Sequence, residues 1–286
     1  MNVLFWNINR NVTEGKEKIE RYIINCVAEN DVDIAVFAEY KDKNGSVINI
    51  DCAAIERGLG NMFTWIKGIE PDGAVILLAR KSIGKVCKIQ QDIDSRYSLY
   101  VVDTALKKYL LAAVHLEDRQ NDPYSEERIE TIRRLRNEIT ENEEFLNIEN
   151  TLVIGDFNAN PYDRELTSKR ALNAVLFKGI IKASEYTNPR SDRIKRFYNP
   201  IIHYLSEDTE MYGSFYFSNA NKYWTPYWCC LDQVLVRKSL VDLIQDVTYL
   251  KAIAGDSLLK RTNIPQDKIS DHLPLLLKLL EVRNGV

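Results

Sequence analysis

Leu152-Val153-Ile154-Gly155-Asp156-Phe157-Asn158 runs from a buried-type apolar strand into a glycine, a carboxylate and an amide. A short β-branched run bounded by turn residues reads as a strand, and Gly, Asp and Asn all favour the turn that ends it. The same pattern recurs outward in both directions. Val3 to Asn7, Asp33 to Glu39 and Tyr109 to His115 each end on a polar residue, Leu231 to Val236 holds Asp232, and Asp271-His272 immediately precedes Leu275 to Leu280. Met62 to Ile66, Ala74 to Arg80, Leu99 to Val102 and Thr248 to Ile253 complete the strand candidates. Between them lie stretches of helical period: Glu14 to Ala28 with Ile19, Ile23 and Val27 on one face, Ser125 to Phe145 with Ile129, Ile132, Leu135 and Ile139, and a third from Arg164 to Leu176. Buried strands alternating with amphipathic helices predict a layered α/β fold with enough strand for two sheets.

The 286 residues show no internal repeat, long linker or low-complexity tract, so one domain over 1–286 is expected. Lys+Arg 38 against Asp+Glu 41 leaves a net charge of −3, so no global basic footprint points to nucleic acid. The N-terminal apolar run is too short for a signal peptide or a membrane span, which predicts a cytoplasmic protein without a membrane span. The 5 cysteines (Cys26, Cys52, Cys87, Cys229 and Cys230) are odd in number and lack C-x-x-C spacing, which argues for reduced thiols over disulfides or a zinc knuckle.

Residues 184–228 break the pattern with a basic cluster (Arg190, Arg193, Lys195, Arg196) and 12 of the chain's 28 aromatic residues. Such rings either pack a β-rich excursion or line a substrate-facing wall. On the second reading Arg190, Arg193, Arg196, Tyr198 and Trp224 are the substrate-binding candidates.

The chemistry is built without the usual signatures, since G-x-x-x-x-G-K-[ST], G-x-S-x-G and H-E-x-x-H are all missing. Singly, Asn7 or Glu39 reads as a strand-end polar residue, and Ser270-Asp271-His272 as a capping cluster. Asp232 is harder to dismiss, because a carboxylate within an apolar strand requires a partner. Of the chain's 3 histidines, His115 and His272 fall in this strand-end set, whereas His203 fits a core position. Together, Glu39, Asp156, Asp232 and Asp271, the amides Asn7 and Asn158, and the two imidazoles suit a hard cation. Zinc wants more His or Cys. Such a set suits attack of an activated water on phosphorus.

At these residues the chain resembles the endonuclease/exonuclease/phosphatase superfamily, with its deoxyribonucleases, abasic-site endonucleases, tyrosyl-DNA phosphodiesterases and inositol polyphosphate phosphatases. Phe5-Trp6-Asn7-Ile8-Asn9, Val36-Phe37-Ala38-Glu39, Val114-His115-Leu116-Glu117, Gly155 to Pro161, Leu231-Asp232-Gln233-Val234 and Ser270 to Pro274 occur in the family's order. The resemblance implies a four-layer α/β sandwich, two packed mixed β-sheets flanked by α-helices. It implies Glu39 as principal ligand of Mg²⁺, with Mn²⁺ able to substitute, assisted by Asn7 and Asp271. Asp156 positions or deprotonates the attacking water, Asn158 holds a phosphate oxygen, and Asp232 orients His272 against the scissile phosphate. His115 stabilises the transition state or protonates the leaving oxygen. The chain departs from many relatives at Ala38, where they carry Gln, and His115 sits where abasic-site endonucleases use Tyr.

The leading expectation is therefore a Mg²⁺-dependent nuclease whose partner is DNA or RNA. The alternative is a hydrolase of small phosphate esters: nucleotides, phosphoinositides or phospholipids. A catalytically inactive binding module is disfavoured, because every acid, amide and imidazole of the set is present. No feature points to an obligate protein partner.

Overall fold

Runs such as Ile34 to Ala38 offer water no polar face, so such strands must be covered on both sides. The computed structural model, which describes residues 1–8, 16–41, 50–68, 73–118, 126–187, 193–205, 213–217, 227–266 and 269–280, meets that demand with two sheets packed face to face. In chain order the elements begin with β1 (Asn2–Asn7), α1 (Lys16–Glu29), β2 (Ile34–Ala38), α2 (Cys52–Gly58), β3 (Phe63–Ile66), β4 (Val75–Arg80) and β5 (Lys85–Gln91). There follow β6 (Tyr97–Asp103), β7 (Lys108–His115), α3 (Glu126–Leu146), β8 (Asn150–Asp156), α4 (Arg164–Thr167), β9 (Ala174–Val175), α5 (Lys178–Ala183), β10 (Tyr186–Thr187), β11 (Ile194–Lys195) and β12 (Phe197–Tyr198). The chain closes with β13 (Phe215–Phe217), β14 (Tyr227–Cys229), β15 (Asp232–Val236), β16 (Ile244–Tyr249), β17 (Ala252–Ile253), β18 (Asp256–Ser257) and β19 (Leu275–Leu279).

The first sheet has the order β16-β19-β1-β2-β4-β3 and the second β5-β6-β7-β8-β15-β12-β9. Both are mixed: β1–β2 and β7–β8 are parallel, whereas β1–β19 and β8–β15 are antiparallel. Two-residue alternation divides the second sheet between two cores. Tyr109, Leu111 and Ala113 of β7, Leu152 and Ile154 of β8, and Val234 and Val236 of β15 join the core shared with the first sheet. Leu110, Ala112, Val114, Val153 and Leu235 face the other way, onto Ile132, Leu135 and Ile139 of α3. The far face of the first sheet is covered by α1, through Ile19, Ile23 and Val27, and by Ile55 of α2. The four expected layers are present. Among the described residues no helix is long and apolar enough to cross a membrane.

The third expected helix is a correction. Only Arg164–Thr167 is helical; Ser168 turns extended, its Oγ accepts the Arg170 N–H (3.2 Å), and Asn173 adopts a left-handed φ of 52° before β9. Local side-chain bonding of this kind competes with helix. The strand expected over Thr248 to Ile253 is instead split between the end of β16 and β17.

Candidate active site

Alternation along the strands decides where the polar residues go. His115, Asp156 and Asp232 keep the parity of the inter-sheet face, and they are direct register partners across three adjacent strands, His115 with Asp156 and Asp156 with Asp232. Asn7, in register with Ala38 at the ends of β1 and β2, approaches from the opposite sheet. Its Nδ2 donates to Asp156 Oδ2 (3.1 Å) and to Glu39 Oε1 (3.4 Å), tying the two sheets together at one rim. His115 Nε2 lies 3.7 Å from Glu39 Oε1 and 3.9 Å from Asp156 Oδ2. His272, just ahead of β19, sets its Nδ1 2.8 Å from Asp232 Oδ2 and 3.9 Å from Asp156 Oδ2.

The backbone is bent to make this possible. Glu39 (φ 55°) and Asn158 (φ 48°) both adopt the left-handed region that non-glycine residues avoid, at strand ends that deliver functional groups. Asn158 is held there by its N–H to Asp156 Oδ1 (2.8 Å) and its Nδ2 to Leu116 O (2.9 Å). Gly155 (φ 153°) has no tolerable replacement, since a Cβ there would lie 2.0 Å from Val114 O on the neighbouring strand.

Further groups hold His272 and its partner Asp232, and sequence reading gave none of them a role in the chemistry. Ser270 Oγ donates to Asn7 O (2.6 Å) and accepts the His272 N–H (3.0 Å), which makes the capping interpretation of that triplet part of the site. Trp6 Nε1 donates to His272 O (3.2 Å), Ser214 Oγ accepts the Asp232 N–H (3.1 Å), and Tyr249 donates its hydroxyl hydrogen to Asp232 O (2.7 Å). The Phe215 ring packs 4.9 Å from that of His272. Ser270 and Trp6 sit within quoted motifs and Phe215 within the aromatic segment 184–228, but only as members of them; Ser214 and Tyr249 carried no signal.

The two histidines are tuned apart. Burial alone would discharge His272, but Asp232, with help from Asp156 and Asp271, reverses this and raises its pKa to about 10. At His115 burial outweighs the attraction of Asp156 and Glu39, so its pKa falls below the ordinary 6.5. Burial is also the largest cause at Asp156, raising it above the usual carboxylate range against the pull of His272. Paired titratable groups displaced in opposite directions mark acid and base roles.

The donor set fits a hard divalent cation. Asp156, Asp232 and His272 each offer a ligand atom within 4.8 Å of the others, Asp232 Oδ1 is buried without a hydrogen-bond partner among the described residues, and Glu39 adds a part-exposed carboxylate across Asn7. Carboxylate oxygens suit a hard cation better than they suit zinc, which favours nitrogen and sulfur.

The basic and aromatic candidates do not join this set. Tyr198 pairs with Val236, which pairs with Leu152, four residues along β8 from Asp156 and thus ~13 Å away at strand rise. Arg196 is drawn to Ser184 O (2.9 Å) and the Arg193 guanidinium stacks 4.3 Å over Tyr186. Arg193, Arg196 and Tyr198, read from the sequence as substrate-binding candidates, thus lie apart from this set, because β12 enters antiparallel to β15 from the opposite end of the sheet. Arg190 and Trp224 lie outside the described residues.

A family model described as the Endonuclease/Exonuclease/phosphatase family matches residues 4–272. The chain belongs to this family. The Endonuclease/Exonuclease/phosphatase enzymes hydrolyse phosphoric esters, and the protein is a phosphoric ester hydrolase. Among solved structures, D. rerio TDP2 complexed with single-strand DNA product aligns at a TM-score of 0.62 and 16% identity, over 98% of this chain and 99% of that one. A 3′ phosphatase, NExo from Neisseria, bound to product DNA hairpin, gives 0.52 at 13% identity, over 98% and 100%. A family protein from Bacteroides thetaiotaomicron gives 0.56 at 13%, over 98% and 97%. At these identities the likeness establishes the fold. No curated protein sequence matches the chain.

Proposed function

We propose that the protein is a Mg²⁺-dependent phosphodiesterase of nucleic acid. The observation that carries this reading is the register of His115, Asp156 and Asp232 across three strands, closed by Asn7 from the other sheet and by His272. Mg²⁺ held by Glu39 with Asn7, Asp156 and Asp271 would neutralise charge on the phosphoryl oxygens. Asp156, made more basic by burial, orients the attacking water and accepts its proton. His272, kept cationic by Asp232, faces the phosphate as a fixed positive charge and hydrogen-bond donor. His115, neutral in the free protein, offers an N–H to the oxygens that gain charge, and Asn158 donates an amide N–H beside it.

TDP2 with single-strand DNA product and NExo with a product DNA hairpin support a nucleic-acid substrate. The net charge of −3 and the distance of Arg193 and Arg196 from the cleft favour a second reading, hydrolysis of small phosphate esters. Nicking of supercoiled plasmid with Mg²⁺, lost with EDTA and in His272→Ala, is the expected result. Intact plasmid together with turnover of nucleotide or inositol phosphates would replace the nuclease reading with the second one.

A further inference from the structure

His115 and Asn158 leave neighbouring strands, and the turns that follow are tied together by a side chain from α3. The parallel ladder of β7 and β8 closes with Leu116 N–H donating to Asp156 O (3.0 Å). Beyond it, Glu117 O and Asn158 O both accept from a single nitrogen, Nη1 of Arg128 (3.3 Å each). Nη2 of the same guanidinium donates to Glu165 Oε1 (3.1 Å), and the two side chains are 1% and 4% exposed. Arg128 continues the buried stripe of Ile132, Leu135 and Ile139 by one turn of α3, and Glu165 reaches it from α4. The clamp therefore lies on the helix side of the second sheet, not in the cleft.

A charge in that stripe calls for an explanation. An apolar pair of similar volume is often as stable as a buried ion pair, or more so, so stability alone gives little reason to keep one. What an apolar pair cannot do is hold two carbonyls at a fixed separation, which the planar fork of a guanidinium does. One of those carbonyls belongs to Asn158, whose φ of 48° persists only where the surroundings dictate it. The next two residues are held as well, since Gln233 Nε2 donates to Ala159 O (2.6 Å) and Asn160 Oδ1 accepts the Cys230 N–H (3.0 Å). Those two anchors join the loop to β15 and the residues leading into it, whereas Arg128 joins it to the turn after His115.

We infer that Arg128, neutralised by Glu165, is a positioning residue: it fixes the turns after β7 and β8 against one another and so sets the spacing of His115 and Asn158 at the reacting phosphate. The inference rests on the roles proposed above for those two side chains.

The test uses the full-length protein in four forms: wild type, Arg128→Met, Arg128→Lys, and Arg128→Met with Glu165→Leu. Turnover with Mg²⁺ is followed on a DNA oligonucleotide and, in parallel, on nucleotide and inositol phosphates. Arg128→Met strands the Glu165 charge and is expected to lose both Tm and rate. The double variant removes that charge and recovers most of the Tm, yet its kcat stays lower by roughly ten- to a hundred-fold with KM within about two-fold, because a small misplacement is costly to rate. Arg128→Lys keeps the charge but not the fork, and holds its Tm while losing about ten-fold in kcat. Glu143→Leu with Arg237→Met, the same exchange in a buried pair (2.7 Å) at the far end of the sheet, is the control and leaves kcat unchanged. Hydrogen exchange of the metal-free proteins reads the clamp without turnover: the Leu116 and Asn158 amides exchange about ten-fold faster in the double variant and in Arg128→Lys, while those of Ile132 and Val153 do not change. Wild-type kcat and wild-type protection in either of these two variants, or losses of rate that simply follow Tm across the set, overturn the positioning role. A wild type inert on every substrate overturns the roles of His115 and Asn158, and with them the inference, even where exchange shows the clamp.

Discussion

Asp232 shows how much one buried side chain can decide. It is wholly buried, gives one oxygen to His272 Nδ1 at 2.8 Å and leaves the other without a hydrogen-bond partner among the described residues. Because His272's folded pKa, about 10, lies above its unfolded value, its contribution to stability is fully present below about pH 6.5 and is lost as pH rises through about 10. In metal-free protein we expect the His272 ring resonance to stay in its protonated form past neutrality while His115 titrates below the ordinary 6.5. Asp232→Asn should return His272 towards 6.5, flatten the alkaline loss of stability and cut kcat by about 10³-fold, by analogy with other oriented imidazoles. An unchanged His272 titration in that variant, followed by NMR, would refute the pairing. Gly155 is a second residue where chemistry leaves no choice. Gly155→Ala meets Val114 O at 2.0 Å and should cost about 3 kcal/mol, seen calorimetrically as a Tm lower by roughly 6–12 °C.

At the scale of elements, what could be read in advance follows burial. β1, β2, β4, β7, β8 and β15 were legible because both faces are covered, which forces an uninterrupted apolar run. β5 was not, because Lys85 to Gln91 is an edge strand with exposed and half-exposed positions and no apolar alternation. α2 is too short for a periodic signal and rests on the Asp51 cap, whose Oδ1 accepts from Ala53 and Ala54 (each 3.0 Å). The strand-end carboxylates, amides and imidazoles were visible as motifs, but which end of the sheet received β12 is a matter of long-range pairing that no local spacing encodes. Hence nothing in the sequence around Arg193, Arg196 and Tyr198 told that β12 places them at the end of the sheet away from Asp156. At that far end Arg237 is buried over Phe197 (3.7 Å) and paired with Glu143 (2.7 Å), which also accepts from Thr151 (2.6 Å). Removing one partner strands a charge in the core, so Arg237→Met should destabilise by about 3–5 kcal/mol. Glu143→Leu with Arg237→Met should recover most of that, as measured by denaturant unfolding. Since the pair lies four residues or more from the catalytic end of β8 and β15, kcat/KM of whatever remains folded should stay within about two-fold of wild type.

For the whole molecule, the two sheets converge on one rim and bring like charges with them. Glu39, Asp156, Asp232 and Asp271 are opposed there chiefly by His272, and Asn7 bridges two of the carboxylates from the seam between the sheets. Such a cluster burdens the fold until a cation occupies it, because like charges repel and the burial of Asp156 already pushes its pKa up. A ligand that binds only the folded state stabilises by about 2.7 kcal/mol at one hundred times its dissociation constant. For a chain this size that corresponds to a Tm raised by roughly 5–11 °C when Mg²⁺ replaces EDTA. Glu39→Gln separates the two contributions, since it removes a repulsive charge and a proposed ligand at once. The variant should melt at or above the wild-type temperature in EDTA and below it in saturating Mg²⁺. A Mg²⁺-induced shift of the same size in both proteins would place the cation elsewhere, and the absence of any shift in wild type would remove the metal from this rim.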